Sequence, residues 1–236
     1  MKKGKLYLIP TTLGDTDKLD KVLPDYNREI VSKLDEFIVE QLRTARRFLR
    51  KMGHPLSIDE MTFYELNKHT DDLEINAYLN PVLSGKSMGL LSEAGTPCVA
   101  DPGSVIVQLA HEKRIEVVPL VGPNSIILAL MASGFNGQSF VFHGYLPVDK
   151  NTLVKKIREM ETVSRSAHQT QIFIETPYRN LQLFDKLVET CRTDTKLCIA
   201  TDLTLEREII KTKTVAAWKK ETVNFHKKPT VFLLYF

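Results

Sequence analysis

The stretch from Gly89 to Ser104 constrains the fold of this chain more than any other part of the sequence. It begins with an apolar run that predicts a buried strand, and it leads into a helix whose apolar positions share one face. Between the two lies a loop in which Gly95, Pro97 and Pro102 have special backbone requirements. Such a rigid loop is where open α/β sheets bind ligands, although an ordinary strand-to-helix connection is the alternative. The loop matches neither the dinucleotide-binding nor the Walker pattern of glycines.

Strand and helix signals alternate along the whole chain, which predicts an α/β fold with a mainly parallel first sheet. Helical patterns over 57–67 and 72–83 also belong to this first part. After a strand over 140–147 the chain becomes polar, so we expect two α/β domains, residues 1–147 and 148–236. The predicted strands cover residues 6–9, 37–40, 116–121, 140–147, 171–175, 196–201, 208–211 and 230–236, and a further strand is formed by Leu90, Leu91 and the residues before them.

The composition is that of an ordinary soluble protein. Of the 236 residues 43% are apolar and 26% charged, and the net charge of +3 permits a nucleic-acid partner without arguing for one. Cys98, Cys191 and Cys198 show no Cys-x-x-Cys spacing, which favours a reducing compartment. The apolar run near the N-terminus is too short for a signal peptide, and no segment is long enough to span a membrane. We therefore expect a cytoplasmic protein.

Two groups of charged residues are candidates for chemistry. Glu40 ends a predicted strand, where it is either a catalytic base or a structural partner of Arg43. The spacing of Arg43, Arg46, Arg47 and Arg50 places four guanidinium groups on one helix face, the arginine stripe. The stripe can follow an RNA backbone, although a charged face is more often only solvated. The histidines are not spaced as metal ligands, so we expect no metal.

Seven motifs in order resemble those of one protein family. They resemble the S-adenosylmethionine-dependent tetrapyrrole methylase superfamily, and most closely its bacterial branch that methylates the ribose 2′-hydroxyl of a cytidine in small-subunit ribosomal RNA. The resemblance covers nearly the whole chain but not the C-terminal extension of that branch. The motifs are the loop at Pro10, Glu40 with Arg43, Ala94–Gly103, Gly122–Ser125, Phe142–Pro147, Glu175–Arg179 and Leu205–Ile209.

The resemblance implies a methyl donor, S-adenosylmethionine, in a cleft between two α/β domains, and usually a homodimer. It implies ribosomal RNA or the small ribosomal subunit as partner. Helix N–H groups near Ser125 suit the carboxylate of the donor, and Asp101 suits its cationic end. The alternative is that Ser125 only caps the helix. The implied donor contacts are Pro10, Leu13, Thr96, Pro97, Val99, Asp101, Ser125 and Ile126, joined by Glu175, Thr176, Ala200 and Thr230 of the second domain.

The sequence departs from the family pattern mainly outside the donor loops. Relatives usually have Glu-Asp-Thr-Arg where this chain has Glu40 to Arg43, and they have an aspartate where this chain has Glu93. Residues 67–70 match the usual His-Asn pair only in part. We expect a methyltransferase acting on a ribose 2′-hydroxyl of ribosomal RNA, with Glu40 as base or hydrogen-bond partner of the acceptor and Arg43 on a phosphate. The alternatives are a tetrapyrrole or other small-molecule methylase, and a non-catalytic relative that binds donor or RNA.

Overall fold

A computed structural model describes residues 2–67 and 70–236 of the chain. Lys68 and His69, in the segment that only partly matches the family's His-Asn pair, lie outside the described residues. The chain forms two compact units, Met1–Asn124 and Ser125–Phe236. In the described part, no helix has both the length and the apolar character that crossing a membrane requires.

The first unit is a parallel sheet with helices on both faces. Its strands run in the order β3-β2-β4-β1-β5, and every pair is parallel. The strands are β1 (Lys5–Ile9), β2 (Glu36–Val39), β3 (Thr62–Glu65), β4 (Met88–Leu91) and β5 (Glu116–Pro119). The helices are α1 (Asp25–Val31), α2 (Leu42–Lys51), α3 (Asp72–Ala77), α4 (Asn80–Leu83) and α5 (Ser104–Glu112).

Alternating strand residues pack on opposite faces of this sheet. Ile9 and Phe37 belong to a buried cluster with residues of α1 and α2, whereas Leu6 and Ile38 belong to a second cluster with residues of α4 and α5. The chain leaves β1 toward β2 on one side and leaves β4 toward β5 on the other. The carboxyl ends of β1 and β4 therefore form the switch point at which open α/β sheets bind ligands.

The predicted helix over 57–67 is wrong beyond its first turn. The capping box of Ser57 and Glu60 is present, but it starts only a short 3-10 turn, and strand β3 follows. Phe63 pairs with Phe37 of β2, and the two rings stack at 6.0 Å. Sheet pairing and the packing of Phe63 on Phe37 thus override the local helical pattern. The predicted helix over 72–83 is split into α3 and α4, because Pro81 lacks the N–H that would continue α3 and lies instead in the first turn of α4.

The second unit is a mixed sheet with helices. Its strand order is β6-β7-β10-β8-β9, with β6 and β7 parallel and the other pairs antiparallel. The strands are β6 (Phe140–Tyr145), β7 (Thr170–Ile174), β8 (Lys196–Thr201), β9 (Ile209–Thr214) and β10 (Thr230–Tyr235). The helices are α6 (Ser125–Ser133), α7 (Lys150–Ala167), α8 (Asn180–Thr190) and α9 (Val215–Trp218). The two-domain α/β class is confirmed.

The division between the units lies earlier than the predicted boundary after Pro147. Strand β6 pairs with β7 of the second sheet, and α6 is joined to β9 by a 2.8 Å hydrogen bond from the Thr212 hydroxyl to the Ser133 carbonyl. Both elements therefore belong to the second unit. Sequence reasoning assigned them to the first because the change in polarity follows β6 rather than preceding α6.

Candidate functional site

The loops after β1, β4 and β5 interlock at the switch point. The Thr11 N–H donates to the Gly95 carbonyl at 2.9 Å, and the Asn124 amide donates to the Thr96 hydroxyl at 2.6 Å. Gly95 has φ +77°, and a Cβ there would lie 3.1 Å from the Pro123 carbonyl oxygen. Because a side chain at this position is both strained and crowded, the sequence needs glycine where the three loops meet.

The loop after β5 also packs directly against the predicted donor contact Pro10. A Cβ on Gly122 would lie 2.3 Å from Pro10 Cγ, a distance that requires the loops to separate. Gly122→Ala is therefore expected to lower the free energy of unfolding by about 1–3 kcal/mol in urea denaturation. The matched control is Gly137→Ala, because a Cβ there would meet nothing within 4 Å. Equal stability of the two variants would contradict this packing.

Asp101 holds the loop that follows β4. Its Oδ1 accepts the N–H groups of Cys98 at 3.2 Å and Gly103 at 2.8 Å. Cys98 and Ala100 have φ values of 67° and 56°, in the left-handed region that non-glycine residues rarely occupy. The carboxylate thus stabilises a strained backbone, which is a frequent property of binding loops.

The other predicted donor contacts of the first unit lie on these loops or beside them. Leu13 is half-buried and packs near Gly95, where an added Cβ would lie 2.9 Å from its Cδ2. Pro97 is buried, whereas Val99 is 42% exposed. Ser125 and Ile126 begin α6 and so belong to the second unit, Ser125 half-buried and Ile126 buried. Their contact with a donor stays a prediction.

Carboxylates dominate the carboxyl ends of β2 and β4. Burial raises the pKa of Glu40, and the negative charges of Glu93 and Asp101 raise it further. Glu93 is fixed by the Thr44 hydroxyl of α2, which donates to its Oε1 at 2.6 Å. In the described part of the chain, no ion pair within 4.0 Å joins Glu40 to Arg43, which weakens the purely structural explanation for Glu40. This edge therefore has a negative potential that suits a cationic ligand.

The arginine stripe lies on the exposed face of α2, opposite the buried Phe48 and Leu49. Arg47 is 3.7 Å from Asp15, and Arg46 lies 5.5 Å from the centre of the Phe63 ring. Neither Arg43 nor Arg50 has an acidic partner within 4.0 Å among residues 2–67 and 70–236. Beside the stripe, a cleft of about 590 Å³ including its open mouth is lined by Thr11–Asp15, Thr44, Ala45, Arg47, Phe48, Lys51 and Ser92–Ala94.

The predicted donor contacts of the second unit meet at one edge of its sheet, where β7 and β8 end and β10 begins. Glu175 is buried and already bonded within the chain: it accepts the Thr176 N–H at 2.7 Å and the Arg179 guanidinium at 2.5 Å. The Thr230 hydroxyl lies 3.2 Å from that of Thr201, while Thr176 is exposed and Ala200 fully buried. Glu175 therefore orients its own turn, and its role toward a donor stays a prediction.

Sequence reasoning missed several partnerships at these two edges. It identified the motif Leu205–Ile209 but did not predict the ion pair that Arg207 of this motif forms. Arg207 Nε lies 2.8 Å from Oδ2 of Asp202, whose side chain has no exposed surface. It also gave no role to Tyr178 or Lys227, whose Nζ lies 5.6 Å from the centre of the Tyr178 ring. The signal for this last pair was an aromatic residue inside a motif and a basic run elsewhere in the chain.

The histidines that the structure describes show no arrangement typical of a metal centre. His143 Nε2 lies 2.7 Å from Gln171 Oε1, and His111 is exposed on α5. Over the residues that the structure describes, no group of three or more His, Cys, Asp or Glu side chains is placed to hold a metal ion.

Comparison with known proteins adds relatives in sequence and in structure, although no family model matches the chain. The chain is 30% identical to the ribosomal RNA small subunit methyltransferase I of Vibrio cholerae, and the match covers 98% of this chain and 76% of that relative. It is 28% identical to the protein of the same name in Escherichia coli O157:H7, over 98% and 78% of the two chains.

Among solved structures, the chain resembles the methyltransferase CobJ with a TM-score of 0.64 at 15% identity, covering 98% of this chain and 94% of that one. It also resembles the cobalt precorrin-4 methyltransferase CbiF with a TM-score of 0.61 at 14% identity, again over 98% and 94% of the two chains. These two similarities identify the tetrapyrrole methylase-like fold.

Proposed function

This chain belongs to the ribosomal RNA small subunit methyltransferase I family, and we propose that it transfers a methyl group from S-adenosylmethionine to ribosomal RNA. The main support in the structure is the switch point of the first sheet. There the interlocked loops at Thr11, Gly95 and Asn124 adjoin the carboxylates of Glu40 and Asp101. A fixed backbone next to a negative potential suits a ligand with a cationic centre.

The charges at this edge suit the methyl donor. S-adenosylmethionine supplies a methyl group activated by a positively charged sulfur, and it also carries an ammonium and a carboxylate. Asp101 and Glu93 provide negative charge for the cationic groups, since each raises the pKa of Glu40 by its own charge. Gly95 keeps the loop after β4 free of a side chain. We assign Pro10, Leu13, Thr96, Pro97 and Val99 to the same site.

Glu40 acts as the general base in this proposal. A ribose hydroxyl is a poor nucleophile until a base shares or removes its proton, and one carboxylate oxygen of Glu40 accepts that proton. Burial and the neighbouring carboxylates raise the pKa of Glu40, which makes it a stronger base than an exposed glutamate. Arg43, in the first turn of α2, binds a phosphate of the acceptor strand and positions its ribose.

We also infer the finer points from the family resemblance. The acceptor is the ribose 2′-hydroxyl of a cytidine in small-subunit RNA, the enzyme is a cytoplasmic homodimer, and Ser125, Ile126, Glu175, Thr176, Ala200 and Thr230 complete the donor site.

The test is transfer of tritiated methyl from S-adenosylmethionine to small ribosomal subunits of a strain that lacks this gene. Digestion to nucleosides should release 2′-O-methylcytidine. A labelled base, or transfer only to a tetrapyrrole, would contradict the proposed acceptor.

The arginine stripe should contribute the salt-dependent part of RNA binding. Arg43→Gln combined with Arg50→Gln is expected to weaken RNA binding and to reduce the slope of log affinity against log salt by about 0.7 for each lost phosphate contact. Fluorescence anisotropy with a labelled single-stranded RNA measures both quantities. Arg28→Gln, which removes an exposed arginine from α1, is the matched control. A double variant with an unchanged slope would mean that the stripe is only solvated.

A further inference from the structure

Tyr178 of the second unit has an exposed ring on a rigid turn. Its side chain is 71% exposed, although it lies between the buried Glu175 and the fully buried Asn180. The turn is closed by a 2.9 Å hydrogen bond from the Arg179 N–H to the Thr176 carbonyl, and by the ion pair of Arg179 with Glu175. An aromatic ring held in this way presents its surface to solvent without the disorder of a mobile loop.

The loop before β10 is fastened to this turn. The Lys227 N–H donates to the Pro177 carbonyl at 3.0 Å, and the buried Asn180 amide donates to the Lys228 carbonyl at 2.7 Å. Lys227 has φ 60°, a left-handed conformation that these bonds maintain. Phe225, just before the basic residues, is buried edge to face against Phe184 at 5.5 Å. The loop is therefore built onto the core and held against Tyr178.

The resulting surface combines one ring with uncompensated positive charge. Lys227 Nζ lies 5.6 Å from the centre of the Tyr178 ring, and His226 and Lys228 are its neighbours in the chain. Across the described residues, none of these three basic side chains has a carboxylate within 4.0 Å. The nearby carboxylate of Glu175 is already neutralised by Arg179. An aromatic face next to basic groups is the combination that binds single-stranded nucleic acid without reading its sequence.

We propose that Tyr178 and the loop His226–Lys228 form a stacking platform for one base of the acceptor RNA, with Lys227 and Lys228 on an adjoining phosphate. The inference rests on the proposed function and adds a point of RNA contact in the second unit. Tyr178 follows Thr176 by two residues, and Lys228 precedes Thr230 by two residues. The platform thus adjoins the edge of the second sheet at which Thr176 and Thr230 lie.

The test compares RNA affinity across variants of the full chain, with a fluorescein-labelled single-stranded RNA oligonucleotide as probe. Tyr178→Ala is expected to weaken binding about 5- to 150-fold, which corresponds to ~1–3 kcal/mol for one stacked base. Tyr178→Phe keeps the ring and should bind like the unaltered protein. Lys227→Gln should lower the salt slope by about 0.7. Tyr26→Ala is the control, because Tyr26 is 55% exposed on α1.

Calorimetric titration with S-adenosylmethionine and methyl transfer to small subunits separate this inference from the proposed function. If Tyr178→Ala binds RNA as tightly as Tyr26→Ala while the unaltered protein methylates subunits, the platform is wrong and the function stands. If RNA binding depends on Tyr178 but no methyl is transferred, the platform stands and the function is wrong. Absence of RNA binding by the unaltered protein overturns the platform, and absence of methyl transfer to subunits overturns the function. Donor affinity should be equal in all variants.

Discussion

Glu40→Gln is expected to slow methyl transfer to small ribosomal subunits strongly and to leave the binding of S-adenosylmethionine intact. The amide has nearly the shape of the carboxylate but cannot accept the proton of a ribose hydroxyl, so the expected loss of rate is about 10²- to 10⁴-fold. Single-turnover transfer of tritiated methyl measures the rate, and calorimetric titration measures donor affinity. Unchanged transfer by this variant would remove Glu40 from the mechanism.

The pH dependence gives a second signature of the same base. Because burial, Glu93 and Asp101 all raise the pKa of Glu40, the acid limb of the rate profile should lie above the ordinary pKa of a glutamate. Glu93→Gln removes one of these negative charges, so it should shift that limb to lower pH while the enzyme stays active. A limb that does not move would show that a different group titrates.

The stability of the Glu40→Gln variant distinguishes a base from a structural residue. Because folding raises the pKa of this carboxyl, its ionised form lowers the free energy of unfolding. The loss of stability is absent at pH values below the ordinary pKa of glutamate and complete at pH values above the raised pKa. At neutral pH the amide removes that penalty, so the thermal midpoint of the variant should be equal to or higher than that of the unaltered protein. A lower midpoint would indicate a structural contact.

Asp101→Ala is expected to weaken binding of S-adenosylmethionine by about tenfold to more than a hundredfold. The loss corresponds to ~1.5–3 kcal/mol for hydrogen bonds to a charged group, because Oδ1 holds the N–H groups of both Cys98 and Gly103. Without these hydrogen bonds, Cys98 and Ala100 can leave their left-handed conformations, and the loop after β4 loses the conformation proposed for donor binding. Calorimetric titration measures the affinity, with Asp20→Ala at an exposed position as control.

Asp101→Asn separates the two contributions of this side chain. The amide oxygen can still accept both N–H groups, whereas the negative charge is gone. If the variant binds the donor normally, Asp101 acts through loop geometry alone. If it binds as weakly as Asp101→Ala with an unchanged thermal midpoint, its charge faces the cationic end of the donor. Normal binding by Asp101→Ala would exclude this loop from the donor site.

Local patterns sufficed where structure depends on neighbours in the chain. The apolar runs ending at Ile9 and Leu91 form buried strands, and the helical spacing of Arg43 and Arg50 places both on the exposed face of α2. The local patterns failed at Phe63, because the choice between helix and strand there depends on pairing with β2, which is distant in the sequence. The unit boundary differs for the same reason, since β6 takes its partner from later in the chain.

The sequence alone determined the α/β class, the Gly- and Pro-rich loops at strand ends and the exposed arginine stripe, because these follow from backbone preferences and from periods of two and 3.6 residues. Only the tertiary structure decided which side chains act on one another. The strand order β3-β2-β4-β1-β5 brings Glu40 into the field of Glu93 and Asp101, and it joins Thr11 to Gly95. Charge interactions and hydrogen bonds depend on distance in space, and the order of strands in a sheet is set by packing between segments far apart in the chain.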